Sequence, residues 1–271
     1  MLGQLATVVA GKYAPNVRVF FNRGMWMHRF GGLVFVDSPK LDYYAWMFDR
    51  WRDEPERCFR DAADFWFHLY RPKPGDVIVD VGAGKGEDTI AFSKAVGPRG
   101  RVLAIEAHPI TFHCLRLFCE ENQLSNVTPL NFAITDRLGP LSMNTASDWQ
   151  ESSVAPLDQN GSVSVGGTTL DDLLSAHGIE QIGLLKMNIE GAEAAAMKGM
   201  KRAISMSHAL CISCHDFRAN LGHGEYFRTK EIVAKTVQAA GFKIVSREND
   251  SRDYVADQIN AVPIGAPSKL A

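Results

Sequence analysis

A short glycine-rich turn between two apolar segments constrains this sequence more than any other feature. Residues 76–86 read DVIVDVGAGKG, and a second apolar segment, VLAI at 102–105, ends at Glu106. Glycine tolerates positive φ angles and lets a ligand approach the backbone closely, so the turn predicts a binding loop. An acid at the tip of the second of two parallel strands is placed to bind the hydroxyls of a ribose. The pattern predicts a site for a cofactor that contains a nucleoside.

The spacing of the glycines argues against a dinucleotide. The dinucleotide fingerprint is G-x-G-x-x-G, whereas Gly82, Gly84 and Gly86 give G-x-G-x-G, and Glu87 occupies the place of the third glycine. A carboxylate at the start of the expected helix would repel a pyrophosphate. S-adenosylmethionine has no phosphate, and its sulfonium and ammonium groups tolerate nearby carboxylates. The charges therefore favour S-adenosylmethionine over NAD, and an NAD-dependent oxidoreductase is the less favoured interpretation.

Composition excludes several kinds of partner. The chain has 271 residues, of which 46% are hydrophobic, which predicts a globular protein with a sizeable core. Its net charge is −2 and no long basic run occurs, so nucleic acid is not expected as the main partner. No apolar run approaches the roughly 18 residues of a membrane span, and residues 1–10 lack the features of a signal peptide. The five cysteines favour free thiols and a reducing, cytoplasmic location. The sequence is compatible with a homo-oligomer and does not fix the oligomeric state.

From residue 71 onward, strands alternate with segments of helical length. The expected strands cover 77–81, 102–106, 127–134, 182–189, 209–214, 242–245 and 258–263. The expected helices cover 87–96, 109–122, 170–176, 192–200 and 229–240. This alternation predicts an α/β fold with a doubly wound, mostly parallel seven-stranded sheet of the Rossmann-like type.

Two regions depart from this alternation. Residues 1–70 are expected to form an N-terminal extension, a largely helical cap on the domain at 71–271. We expect short strands at 17–21 and 33–36 and a helix at 54–70. The stretch 142–167 is polar and aperiodic, and is expected to be an irregular insert, either a lid or substrate loop or a disordered surface excursion.

An aromatic-rich segment lies inside the N-terminal extension. Residues 42–51 contain two tyrosines, two tryptophans and a phenylalanine, from Tyr43 to Trp51. This segment is interpreted either as a stacking platform for a sugar or as packing of the extension on the domain or on a partner subunit.

Three motifs, taken in order, resemble the FkbM-type family of S-adenosylmethionine-dependent class I methyltransferases. They are VDVGAG at 79–84, GTTLDDLL at 167–174 and LLKMNIEGAE at 184–193. The family usually shows Thr-Leu-Asp-Asp-hydrophobic-Leu before the fourth strand and Lys-hydrophobic-Asp-hydrophobic-Glu-Gly-Ala-Glu after it. The resemblance covers roughly 74–264 and implies a class I methyltransferase fold with S-adenosylmethionine as the cofactor.

The resemblance also implies an activity. Family members with known activity mostly methylate hydroxyls on sugars or natural-product scaffolds. We therefore expect O-methylation of a saccharide or small scaffold, with N-methylation of an amine as the alternative among enzymes. The alternative from another class is a non-catalytic cofactor-binding protein. Its one hint is Asn188, which stands where the family commonly has aspartate.

Candidate catalytic residues follow the fourth and fifth strands, where ligands gather in open α/β sheets. Either Glu190 or His215 could take the proton of a hydroxyl acceptor. Glu190 or Glu193 could instead cap the following helix, and His215 could be a satisfied polar residue at a loop start. Asn188 is an amide and is a poor base or cation ligand. No metal site is expected, although the sequence leaves metal dependence open.

The cofactor is expected to contact four segments. The glycine loop should surround the methionine part together with Asp80, which could also brace the loop through backbone N–H groups. Glu106 should bind the ribose, and residues beside it and at the end of the third strand should contact the adenine. The expected cofactor-binding residues are Asp80, Gly82, Ala83, Gly84, Gly86, Glu106, Ala107, His108, Ala133 and Asn188.

Residues 211–215 read CISCH, which matches the C-x-x-C-H pattern of covalent haem attachment. Such attachment requires export, and no export signal is evident. The segment also reads as a buried strand, in which period-2 alternation points Cys211 and Cys214 to opposite faces. Neither haem nor zinc is therefore expected. Beyond this segment, Arg218, His223 and Tyr226 are expected either to line the acceptor pocket or to form a solvated loop.

Overall fold

The computed structural model describes residues 2–12, 16–40, 53–144 and 162–266. The aromatic segment and the middle of the 142–167 insert lie outside these ranges. The N-terminal part contains a helix, three strands and a second helix. In chain order they are α1 (Leu2–Ala10), β1 (Arg18–Asn22), β2 (Met25–Phe30), β3 (Leu33–Ser38) and α2 (Glu54–Asp61).

A central sheet dominates the rest of the described chain. The further strands are β4 (Val77–Val81), β5 (Arg101–Ile105), β6 (Val127–Leu130), β7 (Ala133–Ile134), β8 (Gly139–Asn144), β9 (Ser162–Thr168), β10 (Ile182–Met187), β11 (Ser207–Ser213), β12 (Phe242–Val245) and β13 (Gln258–Pro263). Seven of them form one sheet in the order β12-β13-β11-β10-β4-β5-β6. Strand β13 is antiparallel to both of its neighbours, and the other pairs are parallel. The predicted doubly wound, mostly parallel seven-stranded sheet is confirmed.

Helices connect and cover these strands. They are α3 (Glu87–Val96), α4 (Pro109–Glu121), α5 (Leu170–Ala176), α6 (Glu193–Ala196), α7 (Lys201–Ser205), α8 (Asp216–Asn220), α9 (Lys230–Ala239) and α10 (Asp253–Ala256). Side chains of the central strands alternate between two cores: Val79 and Leu185 lie in one, whereas Ile78 and Leu184 lie in the other. Every residue of β10 is buried, as expected for a parallel strand covered on both faces. None of the helices in the described ranges is long and apolar enough to cross a membrane.

The third predicted strand, 127–134, is wrong as a single element. Strand β6 ends at Leu130, and β7 belongs to a separate three-stranded sheet of order β7-β9-β8. The Asn131 side chain turns the chain here, because its Nδ2 donates hydrogen bonds to the carbonyl oxygens of Glu106 (2.8 Å) and Ala107 (3.0 Å). The 142–167 insert is likewise not irregular at its two ends, since these pair as the antiparallel strands β8 and β9.

The N-terminal region is only partly as predicted. The strands expected at 17–21 and 33–36 are confirmed as β1 and β3, but the region forms a three-stranded antiparallel sheet with β2 in its centre instead of a helical cap. Strand β2 was not predicted because its sequence, MWMHRF, has no polar–apolar alternation. This fits the structure, in which its first four residues are all buried. The helix expected at 54–70 ends earlier: α2 gives way to a π-helix at Ala62–Trp66, which Phe67 N closes on Ala62 O (2.9 Å).

Candidate active site

The glycine turn lies where the strand order of the central sheet reverses. Strand β4 has β5 on one side and β10 on the other, so the chain segments that leave these strands diverge and open a crevice. Gly82 has a φ of 77°, and a Cβ there would collide with the carbonyl oxygen of Asn188. Asn188 N donates to Val81 O at 2.9 Å. Only glycine therefore lets the turn after β4 pass the end of β10 this closely.

A cavity of about 240 Å³ opens over this turn. Eight of the ten residues expected to bind the cofactor line it. They are Gly82, Ala83, Gly84, Glu106, Ala107, His108, Ala133 and Asn188. Glu190, expected to be catalytic, also lines it, whereas Asp80, Gly86 and His215 do not.

Several lining residues were not anticipated from the sequence as cofactor contacts. They are Val81, Lys85, Glu87, Asp88, Ile105, Thr111, Met143, Ile189 and Ala192. Phe132 and Ile134 also line the cavity, and they belong to the end of the third predicted strand, where adenine contacts were expected. Lys85, Glu87 and Asp88 could have been predicted, because Lys85 lies within the glycine turn and the other two residues follow it directly. Met143 was not, because β8 was not recognised as a strand.

Glu106 is held at the tip of β5 by two backbone donors. Gly84 N donates to one carboxylate oxygen (3.0 Å) and His108 N to the other (2.8 Å). Burial raises the pKa of Glu106, and these N–H groups offset only part of that effect, leaving it at about 7. Each oxygen keeps a further lone pair for an incoming hydroxyl. The arrangement suits recognition of a ribose.

Asp80 is fully buried below the cavity and binds a lysine. Lys186 Nζ donates to Asp80 Oδ1 (2.7 Å) and to the carbonyl oxygen of Gly82 (2.7 Å), while Thr89 Oγ1 donates to Asp80 Oδ2 (3.0 Å). Asp80 and Lys186 meet because they are register partners in neighbouring parallel strands. Asp80 therefore braces the loop through Lys186, a role that the sequence alone does not indicate.

Gly86 also lies away from the cavity. Its φ is 105°, and a Cβ there would come within 2.7 Å of the Phe118 ring. This glycine lets α3 begin next to α4, so its conformation shapes the loop without contributing to the cavity wall.

The charges around the cavity favour a positively charged ligand. Among its described lining residues, the carboxylates of Glu87, Asp88, Glu106 and Glu190 face one cationic side chain, Lys85. Burial raises the pKa of Asp88 to about 6, as expected for carboxylates crowded together with little solvent. Crowding and burial destabilise the ionised carboxylates, and a sulfonium and an ammonium would stabilise them. The lining residues therefore fit S-adenosylmethionine and disfavour a pyrophosphate.

A second cavity, of about 450 Å³, adjoins the first. The two share Asn188 and Glu190 in their walls. The other residues of the second cavity are Phe65, Trp66, Ser213, His215, Phe217, Arg218, His223, Tyr254 and Gln258. Arg218 and His223 thus line a pocket, one of the two alternatives predicted for them. No sequence pattern groups the aromatic side chains of this cavity, because they come from three distant segments of the chain.

Glu190 stands at the junction of the two cavities in a strained conformation. Its φ is 51°, which is unusual for a residue other than glycine and is often found at functional sites. Arg218 Nη1 donates to one carboxylate oxygen (2.7 Å), and His215 Nε2 lies 3.2 Å from the other. Burial raises the pKa of Glu190, but the hydrogen bonds and charges of His215 and Arg218 outweigh it and lower the pKa below its usual range.

His215 joins Glu190 to a second, fully buried carboxylate. Its Nδ1 lies 3.0 Å from Glu193 Oε1, and Thr229 Oγ1 donates to Glu193 Oε2 at 3.1 Å. Burial lowers the pKa of His215, but Glu190 and Glu193 outweigh that effect and raise it to about 9. The imidazole is therefore a cation at neutral pH.

Asn188 carries a buried polar atom for which the described residues supply no partner. Its Oδ1 has no hydrogen-bond donor within the described part of the chain. Because an unpaired buried acceptor is costly, this atom fits a wall that is completed by a ligand.

The C-x-x-C-H segment is a buried strand end, as expected. Cys211 and Cys214 pack in different cores on opposite faces of the sheet. All five cysteines of the chain are free and buried, which agrees with the prediction of free thiols. In the described ranges, no group of histidine, cysteine and acidic side chains could hold a metal ion.

Comparison with known proteins places this geometry in a family. A model of the methyltransferase FkbM domain matches residues 80–244. The 2-O-methyltransferase NoeI of Sinorhizobium fredii (strain NBRC 101917 / NGR234) is 28% identical in an alignment of 152 residues that covers 49% of this chain and 60% of that protein. The chain thus aligns with about three fifths of that relative.

Two solved structures are similar in part. Methyltransferase FkbM from Methylobacillus flagellatus is 21% identical, with a TM-score of 0.49 over 81% of this chain and 53% of its own. Aeropyrum pernix fibrillarin, solved with natively bound S-adenosyl-L-methionine, is 15% identical, with a TM-score of 0.45 over 90% of this chain and 97% of its own. Because the family model matches more than half of the sequence, the chain belongs to the FkbM family of S-adenosylmethionine-dependent methyltransferases.

Proposed function

We propose that this protein transfers a methyl group from S-adenosylmethionine to a hydroxyl of a saccharide or small natural-product scaffold. The observation that carries the proposal is the meeting of two cavities at Asn188 and Glu190. The smaller cavity would hold the cofactor and the larger one the acceptor. When bound, the cofactor supplies a methyl group activated by its sulfonium.

The residues of the smaller cavity would hold the cofactor in parts. Glu106 would accept hydrogen bonds from the ribose hydroxyls, and the Gly82–Gly84 backbone would border the methionine part. Ala107, His108 and Ala133 would flank the adenine. Burial lowers the pKa of His108, which keeps its imidazole neutral beside the base.

Glu190 is the proposed acceptor of the hydroxyl proton. Its lowered pKa keeps it ionised at neutral pH, and Arg218 and His215 fix both of its oxygens. Methyl transfer is an in-line displacement, so much of its rate can come from aligning the hydroxyl with the methyl group. Because His215 is itself a cation at neutral pH, we assign it the role of positioning Glu190.

A hydroxyl acceptor is supported by the relative named a 2-O-methyltransferase. A saccharide is supported by the larger cavity, which combines the aromatic side chains of Phe65, Trp66 and Tyr254 with polar groups. Sugar rings offer an apolar face to aromatic rings and hydroxyls to polar side chains.

Two experiments test this function. Calorimetric titration with S-adenosylhomocysteine and with NADH should show binding of the first only, and binding of neither would contradict the cofactor assignment. Incubation with methyl-labelled S-adenosylmethionine and a set of sugars and amines should then label an O-methyl product. Label on nitrogen alone would favour N-methylation, and no label on any acceptor would favour a non-catalytic protein.

We also propose that residues 71–271 form the cofactor-binding domain and 1–70 an extension joined to it. In support, Asn122 at the end of α4 ties β3 to the domain, because its side chain accepts a hydrogen bond from Val34 N (2.9 Å) and donates to Val34 O (2.7 Å).

A further inference from the structure

We propose that Gln258 selects which acceptor hydroxyl is methylated. Its side-chain oxygen would accept a hydrogen bond from a second donor of the acceptor, next to the hydroxyl held by Glu190. The acceptor would then be an uncharged ring that carries neighbouring hydroxyls. This inference rests on the proposed function and adds a specificity-determining residue to it.

The sheet places Gln258 at the same edge as the candidate active site. Gln258 is the first residue of β13 and pairs with Ser213, the last residue of β11. Since β13 is antiparallel to β11, its start lies at the edge where the parallel strands end. His215 follows two residues after Ser213, so Gln258 and the Glu190–His215 pair line one cavity.

Gln258 carries a buried acceptor atom that is unpaired within the described part of the chain. Its side chain is 3% exposed and lines the cavity, yet its Oε1 has no donor among the described residues. Asn188 Oδ1, in the same cavity wall, has none either. Two acceptors in one wall that find no partner in the described ranges call for a ligand that brings O–H or N–H groups.

The aromatic side chains of this cavity are held in place. Trp66, from the π-helix, has the Lys186 ammonium 4.9 Å from its ring centroid. Phe65 lies 5.6 Å from Tyr254, centroid to centroid, and 5.2 Å from the Arg252 guanidinium. A π-helical turn within a helix is often a functional feature. Fixed aromatic faces beside unpaired acceptors suit a hydroxylated ring.

The charges of the cavity disfavour an anionic acceptor. Arg218 donates to Glu190 at 2.7 Å, and His215 lies between Glu190 and Glu193. Both cations are thus paired with carboxylates of the protein. A carboxylate on an acceptor would have to compete with Glu190 for Arg218 and His215.

The test compares sugars that do and do not carry the second hydroxyl. Wild-type protein, Gln258→Met and Gln258→Glu are assayed with labelled S-adenosylmethionine and the methyl glycosides of glucose, galactose, mannose and rhamnose. Each glycoside is paired with deoxy analogues lacking one hydroxyl beside the methylated position. The exposed Gln238→Met on α9 is the matched control, and thermal melting checks that each variant folds.

The expected result is a loss of discrimination. Wild type and Gln238→Met should prefer the parent glycoside over one deoxy analogue by about tenfold to a hundredfold in kcat/KM, because the analogue leaves a buried acceptor unsatisfied. Gln258→Met should reduce that preference to within about threefold of unity, mainly by losing activity on the parent, and Gln258→Glu should keep it in part. An unchanged preference in Gln258→Met would overturn the proposal.

A binding arm separates this inference from the function on which it rests. Saturation-transfer NMR measures binding of the same glycosides to the protein saturated with S-adenosylhomocysteine. Glycoside binding that weakens in Gln258→Met without any methyl transfer would support recognition of the glycoside by Gln258 while contradicting the catalytic function. Methyl transfer to amines alone, or no binding of any glycoside, would overturn the role of Gln258 even where S-adenosylhomocysteine binds.

Discussion

Two buried histidines, His28 in the N-terminal sheet and His215 beside the candidate active site, have similar chemical surroundings but different access. His28 is fully buried on β2. Its Nδ1 lies 2.9 Å from Asp37, its Nε2 lies 2.7 Å from Glu54, and its ring stacks on Phe35 at 5.0 Å. Burial lowers the pKa of His28, but the two carboxylates outweigh it and raise the pKa to about 9.

His215 lies between two carboxylates in the same way, and its pKa is also raised to about 9. The difference is in one of its partners. The Glu190 side chain is 25% exposed and lines both cavities, whereas the Glu54 side chain is 3% exposed. A histidine between two acids is therefore not by itself a sign of catalysis. What marks the His215 cluster is a carboxylate that a ligand can reach.

The largest expected effect comes from removing that accessible carboxylate. Glu190→Gln should lower methyl transfer by about 100-fold to 10 000-fold, because a general base contributes about that much. Affinity for S-adenosylhomocysteine should stay within about threefold. Initial-rate kinetics and calorimetry check both values.

The control is the equivalent change in the buried cluster of His28, Asp37 and Glu54. Glu54→Gln should leave kcat unchanged in the folded protein while lowering its thermal midpoint. Activity of Glu190→Gln within tenfold of wild type would remove Glu190 as the base.

The next effect concerns stability. His28→Leu should lower the free energy of unfolding by about 3–5 kcal/mol, because it leaves Asp37 and Glu54 buried without their cation. His215→Leu should cost less, since it leaves one buried carboxylate, Glu193, without its cation, whereas Glu190 keeps Arg218 and is partly solvated. Urea denaturation of both variants measures the difference, and equal losses would contradict the contrast between the two clusters.

A smaller effect should appear in the pH dependence of stability. The pKa of His28 is about 9 in the folded protein and near 6.5 when unfolded. Its contribution is thus fully present below pH 6.5 and is lost as the pH rises through 9, by roughly 3 kcal/mol. The free energy of unfolding should fall over this range in wild type and fall less steeply in His28→Leu. Parallel pH profiles of the two proteins would count against a charged His28.

The smallest expected effect concerns cofactor binding. The pKa of Glu106 is about 7 in the free protein, and its ionised form accepts the ribose hydroxyls best. Affinity for S-adenosylhomocysteine should therefore fall below pH 7, by at most about tenfold per pH unit. Calorimetry at pH 5.5 to 8 should show this fall in wild type and little pH dependence in Glu106→Gln. A similar slope in the variant would place the titrating group elsewhere.

Much of the fold could be predicted because local signals agreed with the tertiary structure. The helix at Leu170–Ala176 was predicted with its observed bounds, since Thr169 caps it by accepting a hydrogen bond from Asp172 N (3.1 Å). The glycine turn could be predicted from the sequence in the same way. The break at Asn131 was not, because it depends on two carbonyls about 25 residues earlier in the chain.

The site was predictable only where its residues are close in sequence. The loop and Glu106 belong to one strand–turn–helix–strand unit. The pairing of Asp80 with Lys186 needs the register of two strands 106 residues apart. The larger cavity joins the π-helix to β11 and β13, and no linear pattern connects them.

A crystal structure with S-adenosylhomocysteine tests the central claim most directly. We predict that the ribose hydroxyls bind the Glu106 carboxylate and that the sulfur faces the junction of the two cavities, beside Asn188 and Glu190. A ligand bound elsewhere, or one whose sulfur points away from Glu190, would contradict the account.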